Sequence, residues 1–167
     1  MDATVVAAAA VGPAAADEEF RQLVVAEAQR KASTYYYTAG LECKVVSASC
    51  SERSMTVELT VDAGMISSAQ VLDEGLVGTI ADYWTSTLIT ATSGGKHALT
   101  TSLSVQALRP VAEGATVHVV CTATESSAGS APHATARFVL ASDPTLVVAL
   151  AAHTKFFKAL PQKQPAP

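Results

Sequence analysis

The chain has 167 residues, 49% of them hydrophobic, which is enough apolar material for one domain with a substantial core. Only 16% are charged, the net charge is −4 and no basic patch appears; this excludes a nucleic-acid partner and predicts that part of the surface is covered in an oligomer. Three cysteines without a CxxC pair, and four histidines without an HxxxH or HExxH pair, argue against a disulfide framework and against a metal site, and read as the composition of an intracellular protein.

Residues 1–16, MDATVVAAAAVGPAAA, are low-complexity and predict a disordered Ala-rich tail. They carry an acid, no basic n-region and no arginine, and are too short to span a bilayer, so neither a secretory signal nor membrane insertion is expected. The expected location is the cytoplasm, with the mitochondrion as the alternative. A helix then starts at Asp17, a good N-cap, with Glu18 and Glu19 at its positive end. Phe20, Leu23, Val24, Ala28 and Ala32 follow at helical spacing, Arg30 and Lys31 fall near the C-terminal end, and Gly40 stops the helix. Tyr35, Tyr36 and Tyr37 read as aromatic cover or interface.

Leu41–Cys50 and Arg53–Asp62 predict two strands around a SERS turn; Met55, Val57, Leu59 and Val61 lie on one face of the second. A loop, 63–72, leads into DEGLVGTIADYWTSTLITAT, residues 73–92. Val77, Ile80, Ala81, Trp84, Leu88 and Ala91 recur at helical spacing, and the other positions are mostly Gly, Thr and Ser. Between Gly75 and Gly95 the one charged side chain is Asp82. This is a helix buried on most sides and held by packing, since its Thr and Ile content is poor for an isolated helix. A carboxylate in such a helix needs a partner. It is either satisfied by Ser and Thr hydroxyls or is a catalytic acid or base.

Four more strands follow the SGGK turn: His97–Leu108, Ala115–Glu125, His133–Ser142 and Thr145–Lys158. In the first of them Leu99, Thr101, Leu103, Val105 and Ala107 alternate against Thr100, Ser102, Ser104 and Gln106. The last is apolar enough to be central or covered on both sides. PQKQPAP, residues 161–167, is a disordered Pro-rich tail. The order predicts an α+β domain over residues 17–160, an antiparallel sheet wrapped round one long central helix.

With LDEGLVGTIADYWTSTL at the start of that helix, Thr100 in the next strand, Leu108-Arg109-Pro110 at its end and Ala152-His153-Thr154-Lys155 in the last strand, the chain resembles the hotdog-fold acyl-CoA thioesterases of the phenylacetate-pathway and thioesterase superfamily member two type, over roughly Val45–Phe157. The resemblance implies hydrolysis of acyl-CoA to free acid and coenzyme A, a place in lipid metabolism, a dimer or homotetramer, and no cofactor beyond the coenzyme A of the substrate. It implies that backbone N–H groups of Glu74 and Gly75 polarise the thioester carbonyl. Asp82 then activates water or attacks directly, and Thr100 places that water.

The family's HGG reads Asp73-Glu74-Gly75 here, and its upstream Asn corresponds to Ser67. Asp73 reads as an N-cap, Ser67 as a loop hydroxyl or a carbonyl ligand, and Thr100 as either orienter or plain strand residue. These departures leave a non-catalytic acyl-CoA-binding protein on the same fold as the alternative. A hotdog dehydratase, which uses a His and an acid, ranks third because no His lies in the helix or the loop before it.

Overall fold

The computed structural model describes residues 12–33, 42–124 and 131–157. The elements are α1 (Pro13–Ala32), β1 (Cys43–Ser49), β2 (Ser54–Thr60), α2 (Glu74–Thr92), β3 (Ala98–Ala107), β4 (Thr116–Ala123), β5 (His133–Leu140) and β6 (Asp143–Phe157). Residues 1–11 of the N-terminal tail, the C-terminal tail, the three tyrosines and Gly40 lie outside the described residues.

α1 starts at Pro13, not at Asp17. Proline fits a first turn, whose N–H groups have no intrahelical acceptor, so residues 13–16 are helical. Asp17 is therefore no cap: its Oδ1 accepts the Cys50 N–H at 2.8 Å and ties α1 to the β1–β2 turn. The row that α1 buries is Phe20, Val24, Ala28 and Lys31. Leu23, expected in that row, is 49% exposed, and Ala32 is exposed as well.

All six strands form one antiparallel sheet in the order β1-β2-β4-β5-β6-β3. The chain leaves β2, runs through α2, lays β3 on the far edge and returns to β4 beside β2. α2 packs against β3, β4, β5 and β6, with α1 alongside it. Ile80, Leu88, Val57, Val117, Val119 and Phe138 are fully buried between the layers. Among the described residues no helix is long and apolar enough to cross a membrane.

α2 is capped as its sequence demands: Asp73 Oδ1 accepts the Leu76 N–H at 2.9 Å. Its threonines are compatible with burial because they bond within the helix. Thr85 donates to the Ala81 carbonyl at 2.6 Å, Thr87 to Tyr83 at 2.8 Å, Thr90 to Ser86 at 2.9 Å and Thr92 to Leu88 at 2.9 Å. The carboxylate of Asp82 is not sealed inside, as the composition suggested; its side chain is 34% exposed, on the open face of the helix.

The expected two-residue alternation of β3 fails at one point. Thr100 pairs with Lys155 and Ser102 with Thr154, so Thr101 is an extra, bulged residue. The bulge exchanges the faces on its two sides. Leu99 therefore points outward, at 56% exposure, whereas Leu103 and Val105 are half-buried. Thr100, which strict alternation would set opposite Leu103, shares its face and turns towards α2.

Two neighbouring substitutions test the α1 register. Val24→Ala is expected to cost ~2 kcal/mol, the scale of an apolar side chain fully buried, and Leu23→Ala less than about 1 kcal/mol. Equal losses in chemical denaturation would contradict the buried row.

Candidate active site

Asp82 lies about two and a half helical turns after the cap of α2. Oδ1 faces Ser86 Oγ at 3.3 Å, His153 Nε2 at 3.4 Å and Thr100 Oγ1 at 3.5 Å. Oδ2 has no hydrogen-bond partner among the described residues. The carboxylate is thus held loosely by one oxygen and open at the other.

Behind it stands His153 of β6, completely buried. Its Nδ1 is 2.7 Å from Thr85 Oγ1 and its Nε2 is 2.9 Å from Thr100 Oγ1. The Thr85 proton is committed to the Ala81 carbonyl, so this hydroxyl can only accept from the ring. That assigns the proton to Nδ1 and leaves Nε2 to accept the Thr100 O–H. Burial, reinforced by the nearby Lys155 cation, pushes His153 down to about 4 against the pull of Asp82, so the ring is neutral at pH 7.

Lys155, two residues on and on the same face of β6, is also buried. Its Nζ donates to Ser86 at 2.9 Å and to Thr100 at 3.0 Å, the two hydroxyls that face Asp82. Desolvation lowers its pKa and the Asp82 carboxylate raises it. Thr100 thus accepts from Lys155 and donates to His153, and its oxygen is fixed beside Asp82.

Two hollows meet at Asp82. One, of about 520 Å³, is lined by Gly75, Gly78, Thr79, Asp82, Thr100 and Leu103 and opens towards the N-terminus of α2. At that end the N–H groups of Glu74 and Gly75 have no acceptor among the described residues, while Leu76 N–H is used by the cap. Glu74 is exposed and forms no ion pair among the described residues. The other hollow, of about 470 Å³, runs along α2 the opposite way, past Ser86 and Thr90, and is walled by Arg30, Lys31, His97 and Lys155.

Of the residues singled out in the sequence, Asp82 and Thr100 come together, and Gly75 shares their hollow. Ser67 lines neither hollow. Its Oγ accepts the Ala69 N–H at 3.3 Å and its own N–H donates to the Val71 carbonyl at 2.8 Å, which closes a turn in the loop before α2.

Compared by sequence, the chain matches no protein-family description and no curated protein. Its fold does find solved relatives. The PaaI protein of the Escherichia coli phenylacetic acid degradation operon aligns at a TM-score of 0.69 with 17% identity, over 84% of this chain and 96% of that one. Thioesterase superfamily member 2 from Mus musculus gives 0.68 at 14% identity, over the same shares of 84% and 96%. A Streptococcus mutans protein bound to acetyl CoA gives 0.58 at 17% identity, over 64% of this chain and 82% of that one. The chain has the hotdog fold.

His153 and Lys155 were not picked out as site residues from the sequence. Their signal is there: two polar side chains spaced by two in a strand otherwise apolar enough to be covered on both faces. Such a pair shares one buried side and must find polar partners on it.

The buried imidazole fixes a pH response. Its folded pKa lies below its ordinary value of 6.5, so its stabilising contribution is complete above about 6.5 and lost as pH falls towards 4. Between pH 7 and pH 5 the wild type should lose about 2 kcal/mol more than His153→Gln, read as the difference between two denaturation series. Parallel losses would mean that the ring is not buried neutral.

Proposed function

We propose that the protein hydrolyses acyl-CoA thioesters, in an active site completed by a second copy of the chain. The observation that carries this reading is the Asp82 carboxylate, tethered at Oδ1 and open at Oδ2 beside a fixed threonine oxygen. The hotdog neighbours named as thioesterases, and the one solved with acetyl CoA, support the reaction class and the ligand class.

Distance argues for two subunits. Gly75 and Asp82 are seven residues apart on one helix, ~10 Å of rise. A carbonyl held by the Gly75 N–H lies out of reach of direct attack by Asp82 of the same chain, and a water between them would have to be stretched across the whole span. The donors and the acid of one site therefore belong to different chains. β3 is the edge strand of the sheet and lies beside Asp82, so pairing of two β3 edges places the two helices face to face. A tetramer of two such dimers extends this assembly.

In the reaction, water held by Asp82 Oδ2 and Thr100 attacks the thioester carbon. Asp82 takes the water proton, and the oxyanion forms against the Glu74 and Gly75 N–H groups of the partner. The C–S bond then breaks and the proton passes to the leaving thiolate, giving free acid and coenzyme A. Attack by Asp82 itself, followed by hydrolysis of the anhydride, uses the same atoms. His153 is a positioning residue: buried behind Thr100, with both nitrogens occupied, it cannot reach substrate. That argues against a dehydratase in spite of the histidine near the acid.

Asp82→Asn should lower turnover by ~10²–10⁴ with folding intact. Gly75→Pro, which removes one N–H from a first turn where proline is tolerated, should cost ~10²–10³. Dimers that carry one variant in each chain keep one intact site, so co-expressed variants should regain about a quarter of wild-type activity. An inactive mixture would refute the shared site. Full activity of Asp82→Asn would refute the mechanism, and absence of thiol release from any acyl-CoA by the wild type would favour the non-catalytic binding protein.

Glu74 stands where a carboxylate could oppose the oxyanion. Since it is exposed and unpaired, water screens it, and Glu74→Gly should change kcat/KM by less than about fivefold, the effect of ~1 kcal/mol at 4 Å in water. A gain of several decades would place that carboxylate in the site.

A further inference from the structure

We propose that the hollow running from Asp82 towards the C-terminus of α2 is an acyl subsite that selects a terminal carboxylate, so that the preferred substrates are thioesters of short dicarboxylic acids. This rests on the thioesterase reading above and concerns its specificity.

Lys31 is the observation. It occupies the fourth place in the buried row of α1, after Phe20, Val24 and Ala28, where an apolar residue is the rule. The side chain is only 8% exposed, yet its ammonium has one hydroxyl contact, Thr87 Oγ1 at 3.5 Å. Glu27 Oε1 is 3.9 Å away, and both oxygens of Glu27 already accept from Arg30, at 2.7 and 2.8 Å. A buried cation with three donors and one long contact is poorly compensated. Desolvation accordingly pushes Lys31 down to about 8, against the attraction of Glu27 and of the more distant Asp82, with Lys155 and Arg30 acting in the same sense as burial.

This ammonium does not face packed apolar atoms; it lines the hollow. Three cationic side chains line it: Arg30, Lys31 and Lys155. Among the described residues Glu27 is taken up by Arg30 and Asp82 faces Lys155 through the shared hydroxyls, which leaves the Lys31 charge without a close carboxylate, in a chain whose net charge is −4. One uncompensated charge suits one carboxylate better than a phosphate of charge near −2. Asp82 and Lys31 line the same hollow, so a short dicarboxylic acyl chain lying in it would run from the reacting carbonyl to the ammonium. Ser86, Thr90 and the exposed His97 line the same path with groups that a carboxylate tolerates.

The test uses the full chain and pairs of acyl-CoAs of equal length: succinyl against butanoyl, glutaryl against pentanoyl, adipoyl against hexanoyl. Release of thiol gives kcat/KM for each. At least one carboxylated member should exceed its neutral partner by about tenfold or more, as a buried charge-assisted contact would supply. The ratio should fall towards one in Lys31→Met, a change of similar volume, and be partly kept in Lys31→Arg. The wild-type ratios stand alone if the Met variant does not fold. Ratios near or below one for all pairs overturn the proposal. So does an equal loss of affinity for coenzyme A itself and for every acyl-CoA in Lys31→Met, which would put a coenzyme phosphate on these cations. Thioether analogues, which cannot be hydrolysed, separate the two layers. If no thioester is cleaved, the thioesterase reading fails, and the subsite is judged by whether carboxylated thioethers bind more tightly than neutral ones in a Lys31-dependent way.

Discussion

The desolvation of one imidazole organises the candidate site. His153 is enclosed by α2, β3 and β6, and a ring in that position must have both nitrogens bonded while it stays neutral. Thr85 on the buried side and Thr100 on the open side meet that demand. Because the Thr85 proton goes back into its own helix, the direction of the chain of hydrogen bonds is settled as far as Thr100. Thr100 in turn must accept, and Lys155 supplies the proton. The orientation of a solvent-facing hydroxyl beside Asp82 is thus set from within the core, by groups that never meet the solvent. Asp82 is the member of the cluster with spare capacity, which is what a base or nucleophile needs.

That arrangement depends on a single irregularity. Without the extra residue at Thr101, the faces of β3 would run unbroken, and Leu103 and Thr100 could not both look inward. The residues on either side pair normally with β6, so the bulge reorients one side chain at the cost of one local break in the ladder. An edge strand is the place where this costs least, because no further strand must follow the distortion.

Much of the architecture was legible in the sequence, for reasons that are local. The two-residue period of β2, the capping aspartate of α2 and the glycine-bearing turns each leave a mark within a few residues, and the six strands and two helices fall in the expected order. Asp82 stood out because no other charged side chain lies between Gly75 and Gly95. Where the reading went astray, the deciding fact lay elsewhere in the chain. Leu23 looked like core because it is apolar, but the packing of α1 on α2 and β1 selects the row through Val24 and Ala28, and that row ends in Lys31. Asp17 had the chemistry of a cap, yet the chain preceding it carries a proline that starts the helix a turn earlier. The bulge has no signature in a strand of Thr and Ser, where either face is chemically acceptable until a partner is known.

Burial of α2 is uneven along its length. Most of its C-terminal half is buried and closes its hydroxyls on its own carbonyls, while Ser86 and Thr90 border the second hollow. Its N-terminal part carries Gly75, Gly78 and Thr79 on the uncovered face, small groups with no charge to hold a hydration shell. On the outward face of the sheet, at the same edge, Leu99 and Phe156 are 56% and 51% exposed and are cross-strand neighbours. A helix face of small residues, with Asp82 half-buried on it, lies beside an unpaired strand edge, which is costly to leave open. The ~10 Å between the free N–H groups and the acid points the same way from chemistry alone. The open strand edge and the span between the N–H groups and the acid are both features on which the two-subunit site proposed above depends.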